Sequence, residues 1–314
     1  TEAEDVLRDA DIAMYQAKES ERGTACLFDP EMHERALDRL RTRTALAQAI
    51  ERHEFVVHYQ PVVDLADPVV DEFEALVRWN HPDRGLVPPG EFLPYLENNH
   101  SVVLLGRHVI DQVCADLATW RRSHPDVTVS VNLSNREFWS PELRTAVGET
   151  LARHGVPASA LVLEITESVV MSDPAGAREI MSDLQAMGVR VRLDDFGTGH
   201  SSMNVLRTFP VDALKLDGSY VAGLGAHSQA KELVAAILAL GRALGIDVNA
   251  EWVETPEQAE VLRELGCHAG QGWFFAHPMH AAQAGALLGT VIGGAPCRVD
   301  PQADDVGTLT SPQL

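Results

Sequence analysis

Apolar residues gather into eight short runs: VVHYQPVVDL, DEFEALVRW, VTVSVNLS, LVLEITES, VRVRLDDF, ALKLDG, DVNAEWVE and CHAGQGWFF. Most are continuous in Val, Ile and Leu rather than alternating, the pattern of parallel strands covered on both faces. Amphipathic stretches of helical length lie between most of them: VVLLGRHVIDQVCADLATWRR, ELRTAVGETLARHG, GAREIMSDLQAMG, AKELVAAILALGRALG and PEQAEVLRELG. Several end at the glycine expected just past a helix C-terminus. Strands and helices repeating over about 250 residues predict an α/β fold of the (β/α)8 TIM-barrel type, whose reactive groups collect at the C-terminal mouth of the strands. An open doubly wound sheet is the competing architecture, but no GxGxxG turn follows the first strand.

Polar residues stand late in these runs: Glu74, Asn132, Glu164, the adjacent Asp194 and Asp195, Lys215, Glu251 and Gln271. In a barrel those ends converge, so the pattern reads as one acidic site assembled from many strands.

The flanks differ. Residues 1–34 hold a helical pattern, DVLRDADIAMYQAKESERG, and a short apolar run, TACLFD, too little for a core. An amphipathic helix is expected over 35–53, leading into the first strand at Phe55. From Gly293 onward no periodic apolar face remains, which predicts a loosely held tail over 293–314. The barrel is therefore assigned to 35–292.

Composition narrows the chemistry. A net charge of −21 over 314 residues, with no compensating basic stripe, argues against a DNA-binding surface. No apolar stretch reaches the roughly 18 residues of a membrane span and no basic-then-apolar leader opens the chain, so a soluble cytoplasmic piece without a membrane segment of its own is expected, whose full-length protein could be membrane-tethered through other regions. Cys26, Cys114, Cys267 and Cys297 show no CxxC spacing and read as reduced thiols.

Five carboxylates at one mouth cannot all stay ionised unaided, because two charges about 4 Å apart repel by roughly 4 kcal/mol at an effective dielectric of about 20. Divalent cations resolve that conflict. A set of carboxylate and amide oxygens selects hard ions such as Mg²⁺ or Mn²⁺ over zinc. The adjacent acids of DDFG suit a two-metal site of the kind that stabilises entering and leaving oxygens at phosphorus, so phosphodiester hydrolysis is the natural assignment. Lys215 adds weight: it is one of three lysines and lies inside an apolar strand, where an ammonium needs acidic neighbours or a catalytic duty. Asp217, two residues on, is expected on the same face and could pair with it.

Eight segments, EALVRW, HPDRGLVPPGEFLP, VNLS, LEITES, DDFGTGHSS, LKLD, AEWVET and QGW, resemble in order the motifs of EAL-domain cyclic di-GMP phosphodiesterases, over about residues 36–290. The resemblance implies a barrel variant with an antiparallel first strand and hydrolysis of cyclic di-GMP to linear pGpG. It implies that Glu74, Asn132, Glu164 and Asp194 ligate one metal and that Asp194 and Asp195 serve a second, with Mg²⁺ or Mn²⁺ supporting activity and Ca²⁺ inhibiting it. Lys215 and Glu251 would hold or deprotonate the attacking water, and Gln271 would help position it. Arg78 would meet a substrate phosphate and Gln60 a guanine, with Leu76 and Asp217 among the substrate contacts. The loop with Gly197, Thr198 and Gly199 would couple metal occupancy to homodimerisation, anchored by Glu167. The segment ADIAMYQAKESERG followed by LFDPEM resembles the end of a GGDEF domain, which implies a piece of a longer tandem protein.

Three departures from the family pattern stand out. Trp252 and Glu72 stand where Gly is usual, and Asn98–Asn99 replaces a common acidic pair. They leave open an alternative: an impaired EAL domain serving as a cyclic di-GMP receptor or regulatory module. Other motif readings are weaker. Asn132-Leu-Ser134 matches a glycosylation acceptor, and Asp195-Phe-Gly lacks the HRD and glycine-rich loop of a kinase. His200, His268 and His277 read as rim or packing residues, and Trp79 and Trp273 as either buried rings or base-stacking ones.

Overall fold

The computed structural model describes residues 44–97, 99–197, 207–224 and 228–292, with isolated positions at 10, 13–14, 27–29 and 42. The predicted tail lies outside the described residues, as does nearly all of the predicted N-terminal remnant.

All eight predicted runs become strands of one closed barrel. These are β1 (Phe55–Asp64), β2 (Val70–His81), β4 (Thr128–Asn132), β5 (Leu161–Thr166), β6 (Arg190–Phe196), β7 (Ala213–Leu216), β8 (Asp247–Ala250) and β9 (Ala269–Gly270). The order runs from β1 through β9, β8, β7, β6, β5 and β4 to β2, and β1 pairs with β2 to close the ring. β1 is antiparallel to both of its barrel neighbours, whereas the other adjacent pairs run parallel. Two short strands went unpredicted: β3 (Gly85–Val87), which extends β2 as a hairpin, and β10 (Met279–His280), which pairs beside β1.

The helices form where their stripes predict. Ser101–Trp120 buries Val102, Val109, Val113 and Leu117 along one face, and Tyr59 in β1 ties to it by donating to Asp116 at 2.5 Å. Helices Leu143–His154, Pro174–Ala186, Ser228–Leu244 and Pro256–Glu264 are followed by Gly155, Gly188, Gly245 and Gly266, all with φ between 66° and 92°. A side chain at those left-handed positions would be strained, so glycine ends each helix and turns the chain toward the next strand. Of the predicted leading helix, residues 44–51 are helical, and Leu46 and Ala49 join the core. Among the described residues no helix is long and apolar enough to cross a membrane. Cys114 and Cys267 are free and buried.

The barrel lumen carries charge. On β2 the alternation places Glu72 and Glu74 on one face; on β6 it does the same for Arg192 and Asp194. Arg192 bonds to Glu72 although β4 and β5 lie between their strands, so both side chains must cross the interior.

Candidate active site

Lys215, only 2% exposed, is the hub of the mouth. Its ammonium lies 2.5 Å from Glu251 Oε1, 2.7 Å from Glu164 Oε2, 3.2 Å from Glu74 Oε2 and 3.6 Å from Asp194 Oδ1. Parallel register brings the strand ends together: Asn132 stands beside Glu164, and Thr166, two residues on, beside Asp194. Burial alone would strip the ammonium of its proton, but the surrounding carboxylates outweigh it and hold Lys215 well above the usual lysine range.

Asp195 joins by a different route. Strict alternation would turn it away from Asp194, but the register of β6 against β7 slips between Leu193 and Phe196 and Asp195 takes φ 54°. That bulge, in a left-handed conformation Asp tolerates, turns the second acid toward the first. Carboxylate oxygens of Asp194, Asp195 and Glu251 then lie within 4.8 Å of one another.

Charge at this mouth is unbalanced: five carboxylates face one ammonium. Burial first, then the neighbouring acids, push Glu251 up to about 8, Glu164 to about 7 and Asp195 to about 6, with Lys215 opposing. Glu74 goes the other way. Burial would raise it, but Lys215 and hydrogen bonds from Gln271 and Asn132 keep it below the ordinary carboxylate range. Gln271 Nε2 donates to Glu74 Oε2 at 2.6 Å and to Gln60 Oε1 at 3.0 Å, and Asn132 Nδ2 donates to Glu74 Oε1 at 2.5 Å.

A hard divalent cation fits this donor set, which is all oxygen, over-rich in negative charge and includes a buried Glu164 Oε1 that accepts no hydrogen bond. For Asn132 to contribute oxygen, its amide must turn over from its present bond to Glu74.

A family model described as EAL domain matches residues 43–278. The chain belongs to the EAL-domain family. It is 40% identical over 280 residues to the bifunctional diguanylate cyclase/cyclic di-GMP phosphodiesterase MucR of Pseudomonas aeruginosa, covering 89% of this chain and 41% of that protein. It is 39% identical over 276 residues to the cyclic di-GMP phosphodiesterase PdeR of Escherichia coli, covering 88% and 42%. A solved structure described as the PaMucR phosphodiesterase, c-di-GMP complex, superposes with a TM-score of 0.75 at 40% identity, covering 77% of this chain and 99% of that one. The chain thus spans about two fifths of the length of these curated relatives.

Within this EAL barrel the remaining predicted residues are placed as follows. Gln60 is buried and engaged at both ends of its amide, donating to Ala276 O at 2.9 Å and accepting from Gln271. Leu76 and Arg78 are half-buried on β2, with Arg78 Nη1 donating to Val77 O at 3.0 Å. Asp217 does not pair with Lys215, contrary to the alternation argument. β7 ends at Leu216, and Asp217 instead caps helix Gly218–Ala222, accepting from the Ser219 amide at 3.0 Å and from the Ser219 hydroxyl. Glu167 is buried and accepts the Gly197 amide at 3.1 Å, while Tyr220 donates to Gly197 O at 2.5 Å. Gly197 has φ 98°, and a Cβ there would run into the Tyr220 ring. Thr198, Gly199 and His200 lie outside the described residues. His277 packs on Trp273, which is exposed, and Trp79 is buried and donates to Glu54 at 3.0 Å.

Trp252 departs most from what its sequence context asks. It takes φ 56°, the left-handed region where glycine is at ease, and 51% of it is exposed. The indole lies over Gly218, where an added Cβ would come within 2.5 Å of the ring Cγ. Glu251 keeps its place beside Lys215 despite this neighbour.

Sequence reasoning missed the Arg192–Glu72 pair. The signal was present: Arg190 and Arg192 share the parity of Asp194 and so must face inward with it.

Proposed function

We propose that this EAL domain hydrolyses cyclic di-GMP to linear pGpG in a metal-dependent reaction, with Mg²⁺ or Mn²⁺ active and Ca²⁺ inhibitory. The observation that carries the reading is the cage of carboxylates around Lys215, in a family whose compared members are named phosphodiesterases for this nucleotide. Glu74, Asn132, Glu164 and Asp194 would hold one ion, and Asp194 with Asp195 a second. Bound ions would neutralise the acids, lower the pKa of water and steady the charge that develops at phosphorus.

The protein groups divide the remaining work. Lys215, held charged by its neighbours, cannot accept a proton and serves to orient the attacking water. That leaves Glu251, at the edge of the acid cluster, as the base. Gln271 positions Glu74 and, through Gln60, braces the first strand. Arg78 and Leu76 face the substrate phosphate and base from β2, and Asp217 lines the rim. The contact of Glu167 with Gly197 supports a loop that couples the acid cluster to a homodimer. The bifunctional name of the MucR relative, of which this chain covers 41%, supports a GGDEF domain in a longer protein, which we place upstream and in the cytoplasm.

Turnover to pGpG in Mg²⁺ or Mn²⁺ should fall by at least about 10³-fold in Glu74→Ala. Tight nucleotide binding without product in either metal would instead establish the receptor role.

A further inference from the structure

Beneath the acid cluster, a second charged group spans the lumen. Arg192 in β6 donates to Glu72 in β2, and Thr128 Oγ1 in β4 donates to the other Glu72 oxygen at 3.3 Å. The register places Glu72 beside Thr128 and Arg192 beside Glu164, so Arg192 reaches Glu72 from the strand position next to Glu164. Arg192 Nη1 stops 3.6 Å from Glu164 Oε1, and that oxygen accepts no hydrogen bond.

A buried guanidinium must find a carboxylate, and two are within reach. Glu72, fixed by Thr128, takes it. Without the Glu72 carboxylate, a shift of less than about 1 Å would bring Arg192 to bonding distance of Glu164 Oε1. A charge-assisted bond there would be strong, and a cation would have to displace it before using that oxygen.

We propose that Glu72 is a positioning residue: it holds Arg192 away from Glu164 and so keeps one carboxylate oxygen free for a divalent cation. This rests on the metal-dependent reading above. It assigns Glu72 and Arg192 no contact with substrate.

Mn²⁺ alone, titrated into the whole chain by calorimetry and paramagnetic resonance, provides the test. Glu72→Gln is expected to weaken Mn²⁺ binding at least ten-fold, about 1.4 kcal/mol, while kcat at saturating Mn²⁺ stays within about three-fold. Arg192→Gln and the double variant Glu72→Gln/Arg192→Gln are expected to bind Mn²⁺ as tightly as the wild type or more tightly, since no cation remains to restrain. A purely structural role for Glu72 would lower the unfolding midpoint and leave the Mn²⁺ titration unchanged, and that result overturns the proposal. If Glu72→Gln does not fold, the double variant decides: native Mn²⁺ affinity supports the proposal, and an affinity still ten-fold weaker overturns it. A wild type that binds no Mn²⁺ sinks both this inference and the phosphodiesterase reading, whereas Glu72→Gln matching a Mn²⁺-binding wild type sinks this inference alone.

Discussion

Two buried cations lie one above the other in this barrel, and they are handled in opposite ways. Arg192 bonds one carboxylate, Glu72, and the pair closes on itself with help from Thr128. Lys215 touches four carboxylates, with Asp195 adjacent as a fifth, and cannot satisfy them. A balanced pair is a structural element that apolar residues could replace. An excess of buried acids costs stability unless positive charge arrives, so the mouth is arranged for something from outside the chain.

The contrast is broken most severely at the upper cation. Lys215→Met strands its carboxylates and is expected to remove about 3–5 kcal/mol from the metal-free protein in urea unfolding. The double change Glu72→Leu/Arg192→Met should cost no more than about 1 kcal/mol, and a larger loss there would erase the distinction between the two levels.

A buried acid outside both groups sharpens the comparison, because among the described residues no ion pair reaches it. Glu137 packs against Gly106 of helix Ser101–Trp120, where a Cβ would overlap its carboxylate, and Ser134 donates to it from its amide at 3.0 Å and its hydroxyl. Burial pushes it up from 4.5 to about 7, with the Ser134 bonds opposing. The folded state therefore holds this proton more tightly than the unfolded chain. Its contribution is fully present below pH 4.5, falls as pH rises to about 7, and is flat above that. Glu137→Gln should remove that slope and gain on the order of 2 kcal/mol at pH 8 relative to wild type, read as the difference in urea midpoint between pH 5 and pH 8.

The smallest effect is expected at Trp252. Its left-handed backbone costs about 1 kcal/mol that glycine would not, but the indole's cover over Gly218 offsets part of it. Because Lys215 holds Glu251 from the other side, Trp252→Gly should change kcat in Mn²⁺ by less than about three-fold. A large gain would mean that the indole disturbs Glu251 after all.

Eight strands and five main helices were legible because continuous Val, Ile and Leu runs and 3.6-residue stripes report burial directly. β3 and β10 were not, being three and two residues long and set against prolines, Pro88 and Pro278, that mark turns rather than strands. The acid cluster was legible as a set of strand-end residues. How Asp195 joins it was not, because the inward turn comes from a bulge and a left-handed φ that alternation cannot supply. Asp217 failed for the related reason that a period-two argument stops where the strand stops. The inward face of Arg192 was legible from its parity with Asp194, but its choice of Glu72 needed a long-range closure, β2 to β6 across the lumen, that local pattern does not encode.

The reversed first strand has a further consequence. Because Phe55 stands opposite Trp79 and Gln60 opposite Glu74, β1 starts above the acid cluster and descends past it. The polypeptide therefore enters the barrel on its reactive side, and a pull or twist on helix 44–51 would reach Gln60, and through Gln271 the Glu74 carboxylate, along a single covalent strand.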